Sequence, residues 1–158
     1  MKLKYIITEN RKEIIAYHGT SFEFDKFITR RGKSGYGYSM GAYFSNNKKE
    51  AERYGKVVKE YKLTFKNLLD LTFISENDKK GKRLFFDFMK NKYNISFKNE
   101  QSLVYSNPYF GYTTMEALDK SQKFIPLLKK RNIDGIAFNE GNGITYVVFD
   151  STQIKLLK

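Results

Sequence analysis

The chain has 158 residues, enough for one domain with a proper core, and its 14 Phe and 12 Tyr argue for a folded protein over a disordered one. It contains no cysteine and one histidine, which excludes a disulfide framework, a thiol nucleophile, a thiolate zinc site and any multi-histidine metal centre. A formal charge of +12 implies an acidic partner, whether nucleic acid, a nucleoprotein complex or an acidic protein face; lysine-rich codon usage accounts for the same excess.

Met1–Asn10 carries an apolar run too short for a signal peptide, and no stretch approaches the ~20 apolar residues of a membrane span. The expectation is a cytoplasmic protein with no membrane partner, and a monomer. Ile14–Tyr17 reads as a buried strand that runs into His18-Gly19-Thr20. An imidazole at a strand end beside glycine is placed for ligand contact, since Gly19 offers no side chain to block close approach. A satisfied core histidine is the plainer alternative. An apolar patch (Phe22, Phe24, Phe27, Ile28) then gives way to the basic, glycine-rich Arg30–Ser39, which reads as a mobile loop. Gly32-Lys33-Ser34 is no phosphate loop, because the glycine that a Walker motif needs is replaced by Phe27 and no apolar helix follows. The stretch reads instead as a flap, with Arg30, Arg31 and Lys33 near phosphates or near a target. Between Lys26 and Lys66 there are 11 Lys or Arg against 3 Asp or Glu, so the positive excess gathers here.

Gly41-Ala42-Tyr43-Phe44-Ser45 repeats the glycine-then-strand pattern. Asn47 with Glu50 suggests a capping box, and Gly55 a stop, for a helix over Lys48–Tyr54. Ala51 and Tyr54 fall on one face of it, turned towards Tyr43. Val57–Lys66 alternates as a half-buried strand, and Asn67–Thr72 leads into polar turns. A helix follows over Lys82–Tyr93, with Leu84, Phe85, Phe88 and Met89 at core spacing. Tyr105–Thr113 reads as a loop, and Thr114–Arg131 as a helix broken near Pro126. Asp134–Asn139 and Ile144–Phe149 are strands joined by the hairpin signal Glu140-Gly-Asn-Gly143, and Thr152–Leu157 is a last strand. Strands at both ends with helices between them indicate an α+β fold built on a mostly antiparallel sheet.

His18-Gly19-Thr20, then Gly41-x-Tyr43-Phe-Ser45, then Ala51-x-x-Tyr54, and finally Thr145–Lys155 form a spaced set. It resembles the ADP-ribosyltransferases of the diphtheria-toxin and poly(ADP-ribose)-polymerase type, and within them the small domains of phage and mobile-element proteins. The resemblance spans about residues 14 to 157. It implies one ADP-ribosyltransferase-like domain over 1–158, with split antiparallel sheets, peripheral helices and NAD, as substrate, in the cleft between them. It also implies that His18, with Thr20 nearby, bonds a ribose hydroxyl, that Gly19 holds the carboxamide, and that Tyr43 and Tyr54, with Ala51, frame nicotinamide.

Breaking the nicotinamide–ribose bond builds positive charge on the sugar, as glycoside hydrolysis does, and a carboxylate can stabilise it without any metal. The family places a glutamate where this chain has Thr145, and a hydroxyl cannot neutralise an oxocarbenium. Polymer elongation is therefore not expected. Single-unit transfer to a host macromolecule, a protein or alternatively nucleic acid, remains, as does an inactive NAD-binding relic. Glu140, five residues upstream, is the nearest carboxylate able to stand in, with a solvated turn residue as the alternative.

Overall fold

The computed structural model describes residues 11–24, 26, 27, 32–34, 37–97, 110–122 and 124–158. Met1–Asn10, Arg30, Arg31 and residues 105–109 of the expected loop lie outside them. The strands are β1 (Lys12–Thr20), β2 (Gly32–Ser34), β3 (Gly37–Ser39), β4 (Ala42–Ser45), β5 (Val57–Phe65), β6 (Leu68–Asp70), β7 (Gly135–Glu140), β8 (Gly143–Val148) and β9 (Ile154–Leu156). The helices are α1 (Lys48–Glu52), α2 (Gly81–Tyr93), α3 (Tyr112–Gln122) and α4 (Phe124–Lys130). Seven strands form one sheet in the order β6-β7-β8-β4-β1-β5-β9, and β2 pairs with β3 apart from it. Every pairing in the large sheet is antiparallel except β6 with β7, so the α+β, mostly antiparallel expectation holds.

Strand alternation gives the sheet two apolar faces. On one, Ile136, Phe138, Val147 and Phe149 pack with Phe85 and Met89 of α2, Met115 and Leu118 of α3 and Phe124 and Leu128 of α4. On the other, Ala16, Phe44, Tyr61, Leu63, Phe65, Ala137, Tyr146 and Val148 form a second cluster. The sheet is nearly divided in the middle. β1 pairs with β5 along its whole length, Lys12 with Phe65 through Thr20 with Val57. β4 pairs throughout with β8, Ala42 with Val148 through Ser45 with Thr145. Between β1 and β4 the ladder is the single pair Tyr17 with Ser45. The split sheets that the family resemblance implies are here joined, through that junction, into one sheet.

Several local expectations change. The core stripe of α2 is Lys82, Phe85, Phe86 and Met89, an i, i+3, i+4, i+7 set, while Leu84 lies one stripe over and is 44% exposed. α2 ends at Asn94 in the left-handed conformation (φ 54°), which asparagine tolerates. The break in the third helical stretch precedes Phe124, so Pro126 falls in the first turn of α4, where its missing N–H costs no hydrogen bond. Asn67–Thr72 holds a short strand, β6, which pairs parallel to β7 and which the side chain of Asp70 ends by accepting from the Thr72 N–H at 2.9 Å. The last strand starts two residues late: Asp150 accepts from Thr152 N–H at 2.9 Å and caps a 3₁₀ turn over Ser151–Gln153 first. The basic stretch read as a mobile loop contributes Lys33 to the β2–β3 ladder, opposite Tyr38.

α1 lies directly on the end of β1. A Cβ on Gly19 would overlap the carbonyl oxygen of Ala51, and one on Gly55 would overlap the carbonyl of Thr20. Gly19 is therefore required by helix packing, whatever it does for a ligand. Gly19→Ala should cost on the order of 1–3 kcal/mol through overpacking, lowering the melting temperature by roughly 2–4 °C per kcal/mol. At Gly111 an added Cβ meets nothing closer than 3.7 Å, so Gly111→Ala should stay within about 0.5 kcal/mol of the parent. A thermal melt showing equal loss in both variants would contradict this packing role.

Candidate functional site

The site grows from the split. Beyond Tyr17 and Ser45 the backbones of β1 and β4 no longer pair, and the carbonyl oxygen of Tyr43 is taken by a side chain instead: His18 Nδ1 lies 2.7 Å from it. A carbonyl only accepts, so Nδ1 carries the proton, and Nε2 of the neutral ring is left as an acceptor. The ring sits among Phe24, Phe27 and Phe44, with centroids 4.9–5.7 Å away. Burial among these rings pushes the imidazole below its ordinary value, and the bond to the Tyr43 carbonyl offsets only part of that. At neutral pH His18 is uncharged and offers a lone pair to a hydroxyl donor.

Tyr43 points to the other face. Its half-buried ring packs against the helix-side cluster, and its hydroxyl accepts from Met40 N–H at 2.8 Å. Along β4 and β8, Tyr43 stands opposite Val147 and Ser45 opposite Thr145; Thr145 in turn faces Phe138 on β7. Glu140, two residues beyond Phe138, is thus a diagonal neighbour of Thr145 on the same face. Its carboxylate accepts from the Thr145 hydroxyl at 3.3 Å and from the Tyr54 hydroxyl at 2.7 Å. Burial and then the hydrogen bond and charge of Glu140 push the Tyr54 phenol above its ordinary value of 10.0, which keeps it a protonated donor. The residue as a whole is 64% exposed, so a face of the ring remains open for stacking.

The expected set is therefore brought together in two groups. Tyr43, Tyr54, Glu140 and Thr145 lie on the helix side, and His18 lies on the other, joined to them through the Tyr43 carbonyl. Gly19 and Ala51 meet as a backbone contact between β1 and α1, so Ala51 serves packing. Thr20 Oγ1 accepts from Phe22 N–H at 3.5 Å and is committed to the turn that follows β1. Beside His18 the free space is about 10 Å³, room for one water, between Thr20, Phe24, Lys59 and Tyr61. Phe24 and Phe27 present their rings edge-on to the imidazole, which is itself only partly buried.

The hairpin tip is held, and does not fold over the cleft as a free loop would. Gly141, at φ 59°, begins a two-residue turn closed by the Glu140–Gly143 pair. Gly141 N–H donates to Glu76 at 2.6 Å and Asn142 N–H to Glu50 at 3.2 Å. Asn47 Nδ2 donates to Asn142 O at 3.0 Å, and Ile144 N–H to Asn46 Oδ1 at 2.8 Å. Sequence reasoning missed Glu76 and Asn46. It read Glu50 as half of a capping box, but only the Asn47 half forms, with Lys49 N–H donating to Asn47 Oδ1 at 3.0 Å. The Asn47 N–H goes to Ser45 Oγ instead, at 3.1 Å. The one sequence signal was the pair of asparagine-bearing segments, Asn46-Asn47 and Asn139 to Asn142, of which Asn47 and Asn142 meet. An open depression of about 570 Å³ runs beside it, bordered by Asn46, Phe73, Glu76, Asn139 and Ile144. Among the described residues no group of three or more acidic or histidine side chains is arranged to hold a metal, and no helix is long and apolar enough to cross a membrane.

A near-divided antiparallel sheet, with a His-Gly-Thr strand on one side of the split and a tyrosine-bearing strand on the other, has the architecture of an ADP-ribosyltransferase. The chain belongs to that family: the family model described as "ADP-Ribosyltransferase in polyvalent proteins" matches residues 9–158. Among curated proteins none matches. A solved structure described as "Crystal structure of an anti-CRISPR protein" is similar over 92% of this chain and 96% of its own, at 13% identity and a TM-score of 0.44; so distant a likeness carries no argument about function.

Because His18 is the one imidazole in the chain, its proton titration can be followed by NMR without ambiguity. Its midpoint should fall below the ordinary 6.5. The unfolded chain then binds the proton more readily, so His18 costs no stability above about pH 6.5 and a growing amount as pH falls below it. A midpoint at or above 6.5 would contradict the buried, neutral assignment.

Proposed function

We propose that the chain cleaves NAD and transfers one ADP-ribose unit to a macromolecular acceptor, a host protein in a phage–host or defence setting. Membership of the family supports the reaction class. The observation that carries the reading for this chain is the carboxylate of Glu140, bonded at once to Thr145, the position of the family's glutamate, and to Tyr54. In the proposed reaction the bond from ribose C1′ to the nicotinamide nitrogen breaks, its electron pair leaving with neutral nicotinamide. The carboxylate of Glu140 stabilises the oxocarbenium that develops. A nucleophile on the acceptor bonds to C1′ and gives up its proton to Glu140 or to water. Tyr54 and Tyr43 orient the departing ring, an effect worth ~0.5–1.5 kcal/mol per stacked pair, too little to carry catalysis by itself. The family resemblance gives His18 a ribose hydroxyl, from which its Nε2 can accept.

A second reading, NAD binding without turnover, is favoured by the aromatic cover on His18 and by Thr145 itself. Labelled NAD separates the two, since the transferase releases nicotinamide and leaves label on an acceptor. Glu140→Gln should lower transfer by roughly 10²–10³, by analogy with loss of a single oxyanion-hole donor, while NAD affinity stays near wild type. Thr145→Ala should matter less. Transfer by Glu140→Gln at the parent rate would remove the carboxylate from the mechanism.

The charge of +12 favours an acidic acceptor surface, and with it protein or nucleoprotein over a neutral target. Labelling of the acceptor should then fall steeply as salt rises, because exposed charges are screened beyond ~8 Å at physiological ionic strength, whereas NAD cleavage should change little. Labelling that is indifferent to salt would assign the charge to codon usage.

A further inference from the structure

Two elements carry the proposed chemistry. Tyr54 follows α1, and Glu140 ends β7 at the hairpin. The bond between their side chains, 2.7 Å, is their direct link. A second link runs beside it. The carboxylate of Glu50, in the middle of α1, accepts from Arg53 Nη1 at 2.9 Å and from the backbone N–H of Asn142, at the hairpin tip, at 3.2 Å. The Glu50 side chain is only 13% exposed, although it sits in a helix of five residues with solvent on its outer side. Room for it comes from Gly141, where a Cβ would lie 2.7 Å from Glu50 Oε2. Arg53 and the Asn142 N–H hold the carboxyl below its usual range, so it stays ionised.

A glutamate at this position of a helix ordinarily turns back to bond the cap residue's N–H. Here that N–H is satisfied by Ser45 Oγ, and Glu50 is released to reach another element. We infer that Glu50 is a positioning residue, whose carboxylate pins the hairpin tip to α1 and so holds Glu140 against Tyr54 and Thr145. The inference rests on the transferase reading for its catalytic consequence, but its geometry can be tested without activity.

Three variants make the test: Glu50→Ala, Glu50→Asp, which keeps the charge but is one methylene short, and Glu50→Gln, which keeps an oxygen able to accept from Asn142. NMR reports the nuclear Overhauser contact between the Tyr54 ring and the Glu140 methylenes. Nicotinamide release over a range of NAD concentrations gives kcat and KM. The contact should weaken in Glu50→Ala and Glu50→Asp and return in Glu50→Gln. In step with it, kcat should fall on the order of ten-fold and be restored, with KM within about two-fold throughout, as expected when misplacement by a fraction of an ångström affects the chemical step. If Glu50→Ala does not fold, Glu50→Asp carries the same comparison. An intact contact in the Ala and Asp variants, a Gln variant as impaired as Ala, or a loss confined to KM would each overturn the assignment. A wild type that keeps the contact, loses it in Glu50→Ala and releases no nicotinamide would leave Glu50 a positioning residue and sink the transferase reading instead.

Discussion

Between β1 and β4 the sheet is held by one backbone pair, Tyr17 with Ser45, and one side-chain bond, His18 Nδ1 to Tyr43 O at 2.7 Å. The placement of His18 and of the Tyr43 carbonyl depends on how that junction is made. A fully laddered sheet would bury the Tyr43 carbonyl in a backbone bond and leave no opening, whereas an unbridged one would leave a part-buried carbonyl without a partner, at a cost of about 1–3 kcal/mol. The imidazole solves both problems. It satisfies the carbonyl, fixes its own tautomer in doing so, and turns its second nitrogen into an acceptor. A lysine or arginine could bond the same carbonyl but would leave no acceptor, because neither side chain has a lone pair to offer.

On the far side of the junction, strand geometry brings a carboxylate beside Thr145. Thr145 is central in β8, flanked by Ser45 and Phe138, and its short side chain leaves the space beside it open. Glu140 reaches that space diagonally from β7, and its position is over-determined by Tyr54, Thr145 and a hairpin tip held at four backbone groups. A charged group at a reacting centre is most effective when it does not have to reorganise, and a clamped two-residue turn limits that motion. The same clamp argues against a hairpin that opens and closes.

Much of this was legible in the residues. The alternation of Val57–Phe65, the apolar run before His18 and the Gly-Asn turn after Glu140 specify β5, β1 and the β7–β8 hairpin, because each pattern has one low-energy solution. The motif set around His18, Tyr43 and Tyr54 carried the resemblance to the family, whose model matches residues 9–158. β6 was not legible, since three residues bordered by Asn67 and Asp70 carry too little periodicity to tell strand from turn. Nor was the division of the site across two faces, which follows from the register between β1 and β4 and so from a pairing over 28 residues of sequence. Glu50 was misread for a physical reason. The capping-box pattern records only where a glutamate can turn, and Ser45 Oγ, which displaces it, becomes its competitor only once β4 and α1 have been joined.

The central claim is that Glu140 supplies the carboxylate which Thr145 cannot. A crystal structure of the chain with a non-cleavable NAD analogue tests it most directly, through the distance from ribose C1′ to the nearest carboxylate oxygen. The account predicts nicotinamide against the open face of Tyr54 and a Glu140 oxygen within about 3–4 Å of C1′, the range of a reactive arrangement. A complex with C1′ beside Thr145 and every carboxylate oxygen beyond roughly twice that range would contradict it.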